Sequence, residues 1–399
     1  MEAQRETRVL MVVEKLHGLG GAQMQALRLA RALKPRGIEA RIVTGRWRWS
    51  EPRRTEIDGI EVLGLFTAFK FFHLRGLRRL GMYIYLASLL LHLWLKRRSY
   101  DVIHVHSATV SAFAVALAGK WFRKPTIMKV MASGGWSDFK RMQKGGEVPG
   151  SAAMARRFRG IDRVVCLNAE AEAECRAFGF AEQQLFRVPN GFPVSEVSTR
   201  VSRAQPDPIV VTYAGRLDAQ KNPRRLIDAI EILSRSAGAL HLRFDILGDG
   251  PQRNDIERLV AERSLGEIVR LHGRVDNVPA HLVQTDIFVL PSLSEGISNA
   301  LLEAMAHGLA CVATRIPGNV DLIHHRETGI LVEPDDASAL AEAIRELSGD
   351  AALRERLGSA ARRLVEERFD IDVVATKYAE LYRELVSARA AAARARERV

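Results

Sequence analysis

The stretch RVLMVVEKLHGLGGAQMQALRLARALKPRGIEARIVTG, Arg8 to Gly45, decides the fold. Val9 to Val13 is an apolar run of strand length. Ala22, Ala26, Leu29, Ala30 and Leu33 then recur at i, i+4, i+7, i+8 and i+11, which predicts a helix with one apolar face, closed by Lys34-Pro35-Arg36-Gly37. EARIVTG supplies a second strand, so the stretch is one βαβ unit. DVIHVHS and PTIMKVM, with an amphipathic segment between them, extend the same alternation. PIVVTYAGR, LRFDILGDGP, IVRLHGRV, DIFVLPS, LACVATRIPG and TGILVEPDD begin it again. Strands alternating with helices imply α/β architecture, with parallel sheets covered on both faces.

A chain of 399 residues exceeds what one core usually supports. The polar, Pro-bounded segment 193–208 reads as the boundary, giving domains 1–195 and 205–370. Residues 371–399 read as a helix packing back on the first domain, with a fraying Ala/Arg tail. Three cysteines with no C-x-x-C pair argue against a disulfide framework or a zinc site and fit a reducing cytosol. The first apolar run is too short for a signal peptide.

The net charge of +12 is unevenly placed. Residues 1–198 hold 32 Lys and Arg against 17 Asp and Glu, and the remainder holds 27 against 30, so the basic excess lies in the first half. That half is expected to face an anionic partner.

Three segments of the second half, each following a predicted strand, are placed to form a nucleoside diphosphate site. YAGRLDAQKN offers Arg216 and Lys221 to neutralise a pyrophosphate. LGDGPQR brings Gly248 and Gly250, which permit close backbone approach. PSLSEGISNALLEAMA supplies Glu295, then Gly296, Ile297, Ser298 and Asn299 leading into a helix whose amino end favours an anion. With phosphates at that helix end, Glu295 reaches the group beyond them. Glu303, more than one turn in, reaches back to accept from both ribose hydroxyls. Taken singly, each of these residues reads as a solvated charge or a turn; their joint order favours the site.

HGLGGAQ, between the first strand and first helix, lacks the full G-x-G-x-x-G pattern, and the second strand ends without an acid, which disfavours a nicotinamide dinucleotide site.

The combination resembles the retaining glycosyltransferases of family 4. It is carried by VVEKLHGLGGAQMQALRLARAL, DVIHVHSA, VPNGF, YAGRLDAQKN, LGDGPQ, LHGRVDNVPAHL, DIFVLPSLSEGISNALLEAMAHG with its Glu-x7-Glu spacing, and TGILVEPDD, spanning about residues 8 to 385. The resemblance implies the GT-B fold: two Rossmann-like, doubly wound parallel-sheet domains facing across a cleft, the first on the acceptor side and the second holding the nucleotide-sugar. It also implies that Arg216 and Lys221 bind the donor pyrophosphate, Glu303 the ribose and Glu295 the sugar. By the same resemblance, Arg274, Val275 and Val278 would belong to a base-binding loop, and Gly20 and Gly21 would meet the phosphates.

The activity so implied is transfer of a hexosyl or related group to a glycan or lipid-linked acceptor, with retention, in cell-envelope or exopolysaccharide synthesis. The nucleotide-sugar is a co-substrate, so no cofactor is expected. With no Asp-x-Asp pair at a strand end, fixed cations replace a metal. Many family members carry a His in a first-half strand-end loop, and KVMASGGWSDF has none. Lys129, Ser133 and Asp138, together with His106 at the end of DVIHVHS, are the acceptor-side candidates. A sugar-nucleotide epimerase, a glycan phosphorylase and a non-catalytic glycan- or membrane-binding protein are the alternative readings.

From Val62 to Tyr100 no acid occurs, while Lys70, Arg75, Arg78, Arg79, Lys96, Arg97 and Arg98 alternate with aromatic residues. GMYIYLASLLLHLWL is shorter than the ~20 residues that span a bilayer. The segment predicts peripheral contact with an anionic membrane at its cytoplasmic face, against the plainer reading of a core helix with a basic rim. Nucleic acid is disfavoured, because no zinc finger, helix-turn-helix or RNP-like strand is found.

Overall fold

The structure is a computed structural model describing residues 6–16, 20–67, 78–144, 148–197, 207–235 and 241–397. The chain divides into two units: residues 1–191 with 371–399, and residues 192–370.

In the first unit, strands β1 (Thr7–Val13), β2 (Ile38–Gly45), β3 (Arg54–Ile57), β4 (Ile60–Leu65), β5 (Val102–Val105), β6 (Thr126–Val130), β7 (Arg163–Cys166) and β8 (Leu185–Arg187) form one sheet in the order β3-β4-β2-β1-β5-β6-β7-β8. Helices α1 (Gly21–Leu33), α2 (Arg78–Leu95), α3 (Val110–Phe122), α4 (Asp138–Gln143), α5 (Ser151–Ala155) and α6 (Ala169–Phe178) connect them. The opening βαβ unit holds, with Val9 to Val13 pairing in parallel with Ala40 to Thr44. β5 and β6 are buried along their whole length, because helices cover both faces. The sheet is mixed, however: β3 is antiparallel to β4. Asp58 and Gly59 join them with φ of 51° and 77°, the two left-handed residues of a tight hairpin.

In the second unit, β9 (Ile209–Ala214), β10 (Leu242–Leu247), β11 (Val269–Gly273), β12 (Ile287–Leu290), β13 (Ala310–Thr314) and β14 (Ile330–Val332) run parallel in the order β11-β10-β9-β12-β13-β14. The helices are α7 (Pro223–Ser234), α8 (Arg253–Glu262), α9 (Val278–Leu282), α10 (Asn299–Ala306), α11 (Pro317–Val320), α12 (Ala337–Gly349) and α13 (Ala351–Arg368). α7 shows why they dock: Pro223 fixes its first turn, and Leu226, Ile227, Ile230 and Leu233 form a buried stripe, each side chain stabilising by about 1.5–3 kcal/mol. The winding reverses between β9 and β12, and the carboxyl ends of strands at such a reversal are where open α/β sheets hold their ligands.

The last helix, α14 (Ile371–Glu397), belongs to the first unit and packs on α1, burying Val374, Tyr378 and Tyr382. Two expectations change here. The first crossover falls between Gly191 and Phe192, so the described part of the polar segment 193–208 lies in the second unit; Phe192 N donates to Phe369 O at 2.8 Å, tying that unit's two ends together. The Ala/Arg tail is helical to Glu397 rather than frayed, and Arg389 Nε donates to Arg123 O at 3.0 Å.

Candidate functional site

The loops after β9 and β12 carry the residues that the sequence singles out. Lys221 Nζ donates to Glu295 Oε1, which also accepts from Ser292 Oγ at 2.7 Å. Glu295 is 6% exposed, so its charge is buried and paired. Arg216 stands largely in solvent, its guanidinium 3.4 Å from the Asp218 carboxylate, whose other oxygen accepts from Lys221 N at 3.1 Å. Tyr213 donates to Arg216 O at 3.0 Å, and burial beside Glu295 and Asp218 raises its phenol above the usual range.

Neighbouring loops are stitched side by side. Leu293 N donates to Gln220 O at 2.8 Å, Leu217 N to Asp249 O at 3.1 Å, and Gly248 N to Gly273 O at 2.7 Å. The loops after β12, β9, β10 and β11 thus form one continuous rim, with partly buried Val275 and Val278 and exposed Arg274 on its last member. Gly248 and Gly250 serve this rim directly. A Cβ on Gly248, at φ +143°, would stand 1.8 Å from Gly215 O, and one on Gly250 2.4 Å from Leu217 O. Their close approach is to the Arg216 loop.

α10 starts where Ser298 caps it, accepting from Leu301 N at 3.4 Å, and its amino end points at the same rim. Gly296 and Asn299 are partly buried, Ile297 is buried, and Glu303 lies partly exposed one turn further along.

Sequence reasoning missed the support behind Glu295. A Cβ on Gly318 would come within 2.5 Å of both Glu295 O and Gly296 O, Thr314 Oγ1 donates to Ser292 O, and Asn319 Nδ2 donates to Thr314 O at 2.9 Å. Pro317-Gly318, shortly after the end of β13 at Thr314, was the legible signal.

In the first unit, Gly20 caps α1 and Gly21 begins it, while His17, Gly18 and Leu19 lie outside the described residues. The four acceptor-side candidates turn inward. His106, expected to face the cleft from its strand end, is 4% exposed, its ring tilted against that of His104 with centroids 4.1 Å apart; burial lowers it to about 3. Lys129 is 2% exposed, donates to Asn190 Oδ1 at 2.9 Å, and is lowered by burial to about 7. Ser133 donates to Glu170 at 2.7 Å, and buried Asp138 accepts from Met131 N at 3.2 Å. A parallel sheet covered on both faces leaves few strand-end side chains open. The exposed side chain on that loop is Trp136.

Residues 20–191 match the glycosyl transferase 4-like domain family and residues 208–350 the glycosyl transferases group 1 family. The chain matches glycosyl transferase domain families in both halves and has the GT-B fold. It is 26% identical to UDP-Gal:alpha-D-GlcNAc-diphosphoundecaprenol alpha-1,3-galactosyltransferase of Escherichia coli, over 73% of this chain and 77% of that one. Sucrose-phosphate synthase from Thermosynechococcus elongatus shares the fold with a TM-score of 0.81, at 22% identity over 96% of this chain and all of that one. HepE from Anabaena, in complex with UDP and glucose, gives 0.74 at 17% identity over 95% and 100%.

No group of three or more His, Cys, Asp or Glu able to hold a metal occurs among the described residues, and no described helix is long and apolar enough to cross a membrane. In α2, Tyr85, Leu86, Leu89 and Leu93 are core, while Leu91, Trp94 and Leu95 are exposed, so the core-helix reading holds for one face only. Lys70, Arg75 and the neighbouring phenylalanines 69, 71 and 72 lie outside the described residues, as do the side chains of Arg78 and Arg79.

Proposed function

We propose that this protein transfers a hexosyl or related group from a nucleotide-sugar to a glycan or lipid-linked acceptor, with retention and without a metal, in envelope or exopolysaccharide synthesis. The Lys221–Glu295 pair beside Arg216, flanking the reversal between β9 and β12, is the observation that carries it. Breaking the anomeric C–O bond puts negative charge on the departing diphosphate. Arg216, Lys221 and the amino end of α10 are fixed before that charge appears, so they stabilise the transition state at little reorganisation cost. Glu295 positions Lys221 and faces the sugar; Glu303 takes the ribose; Arg274, Val275 and Val278 border the base; Gly20 and Gly21 approach the phosphates. The second unit is then the donor domain and the first the acceptor domain, held to an anionic cytoplasmic membrane face through residues 62–100.

Purified protein is to be incubated with a panel of nucleotide-sugars, with and without lipid extract, while released nucleoside diphosphate is measured and the product's anomeric proton is read by NMR. Acceptor-dependent release with an unchanged anomer is expected. Donor isomerisation without acceptor, or release of sugar phosphate only with free phosphate, would overturn the reading.

A further inference from the structure

At the amino-terminal edge of the first unit's sheet, three connections end side by side. α2 stops at Leu95 before β5, α3 stops at Phe122 before β6, and a 3-10 turn over Arg156–Gly160 stops before β7. Cofactor and substrate sites of α/β sheets sit at the opposite, carboxyl edge. Here Lys120, Arg123, Arg156, Arg157 and Arg389 line a cavity of ≈ 800 Å³, closed on one side by the helical tail of α14. Its one acid, Asp162, already accepts from Thr126 N and Thr126 Oγ1, both at 2.8 Å. Lys120, Arg123, Arg156 and Arg157 have no carboxylate partner among the described residues. Five cations face that single carboxylate, so the cavity carries an excess of positive charge whose mutual repulsion an anion relieves.

Two further features say which anion. Arg156 and Arg157 are shared with a second hollow of ≈ 590 Å³ lined by Phe113, Ala153 and Met154, so the cations border an apolar space. Trp121, 60% exposed beside Lys120, and Trp94, 48% exposed with Arg97 5.4 Å from its ring centroid, stand at this edge with exposed Leu91 and Leu95. Exposed tryptophans framed by cations suit the headgroup layer of a bilayer. A nucleic acid would use the charge and leave the apolar hollow unfilled.

We infer that this cavity is a headgroup site for an anionic phospholipid, with the phosphate among Lys120, Arg123, Arg156, Arg157 and Arg389, and Trp94 and Trp121 in the interface. It rests on the membrane contact proposed above and adds a specific seat whose phosphate-binding cations lie outside residues 62–100.

The full chain is floated with phosphatidylcholine vesicles with and without phosphatidylglycerol. Wild type is expected to bind only the anionic vesicles. Lys120→Gln, Arg156→Gln and Arg157→Gln together should weaken binding by about fivefold for each cation removed, with melting temperature and donor hydrolysis unchanged. Trp94→Ala with Trp121→Ala should lower the binding that survives high salt. If Arg97→Gln with Arg98→Gln releases the protein while the triple variant binds as wild type, the α2 contact stands and the headgroup site is wrong. If wild type ignores anionic vesicles, both are wrong.

Discussion

Lys221 and Glu295 are 74 residues apart in sequence and share a charge-assisted hydrogen bond across the point where the second sheet reverses its winding. The bond holds the ammonium in place before any ligand arrives, with Ser292 on the same carboxylate oxygen.

Lys221→Ala is therefore expected to lower kcat by about 10²–10³, with a smaller change in KM, because the charge it opposes grows in the transition state. Steady-state kinetics on a variant with wild-type melting temperature checks this. An effect confined to KM would place Lys221 in ground-state binding instead.

Glu303→Ala should weaken the donor by about 1.5–3 kcal/mol, the value of a hydrogen bond to a charged acceptor, roughly ten- to hundredfold in Kd. Calorimetry with the nucleoside diphosphate reads it directly. A folded variant with unchanged affinity removes Glu303 from the ribose.

Turnover should survive a chelator, since Arg216 and Lys221 supply the charge compensation. Loss of activity in EDTA, regained on adding magnesium or manganese, would refute that assignment.

Gly248→Ala should cost about 1–3 kcal/mol and reduce activity together, because its Cβ would overlap Gly215 O and push the Arg216 loop off the rim. Chemical denaturation and kinetics on the same sample test the pairing. Full activity at wild-type stability would mean that the loops can separate freely.

Lys129 offers a pH signature. Burial against Asn190, His104, His106 and Tyr378 lowers it to about 7, well below its unfolded value. Between those two values the unfolded chain binds the extra proton, so stability rises with pH there, by at most about 1.4 kcal/mol per unit, and the contribution is flat below 7. Lys129→Met should flatten that slope, and its stability relative to wild type should be greatest near neutrality and fall toward alkaline pH. Parallel slopes in urea titrations at several pH values would show that the ammonium is solvated.

The sequence by itself determined the two α/β units, because strand-length apolar runs and helix-period stripes are local patterns that only a covered parallel sheet satisfies. It also supplied the Arg216, Lys221 and Glu295 set, whose positions just after two strand-length apolar runs are readable along the chain, and it contained the Asp58-Gly59 hairpin signal. Tertiary structure decided which way each of those side chains points. His106 and Lys129 look available near strand ends, but both are buried: α14 returns from the far end of the chain to set Tyr378 beside Lys129 and His104 and Tyr382 on His104, and His106 lies against His104. Gly248 and Gly250 read as ligand loops, yet their partners are Gly215 and Leu217 on the neighbouring strand's loop. The basic tail reads as loose because Ala and Arg bury little, and only the fold brings Arg389 beside Arg123. Pattern along the chain fixes what is apolar and where it repeats; which polar groups remain open is set by segments that meet only when the sheets are assembled.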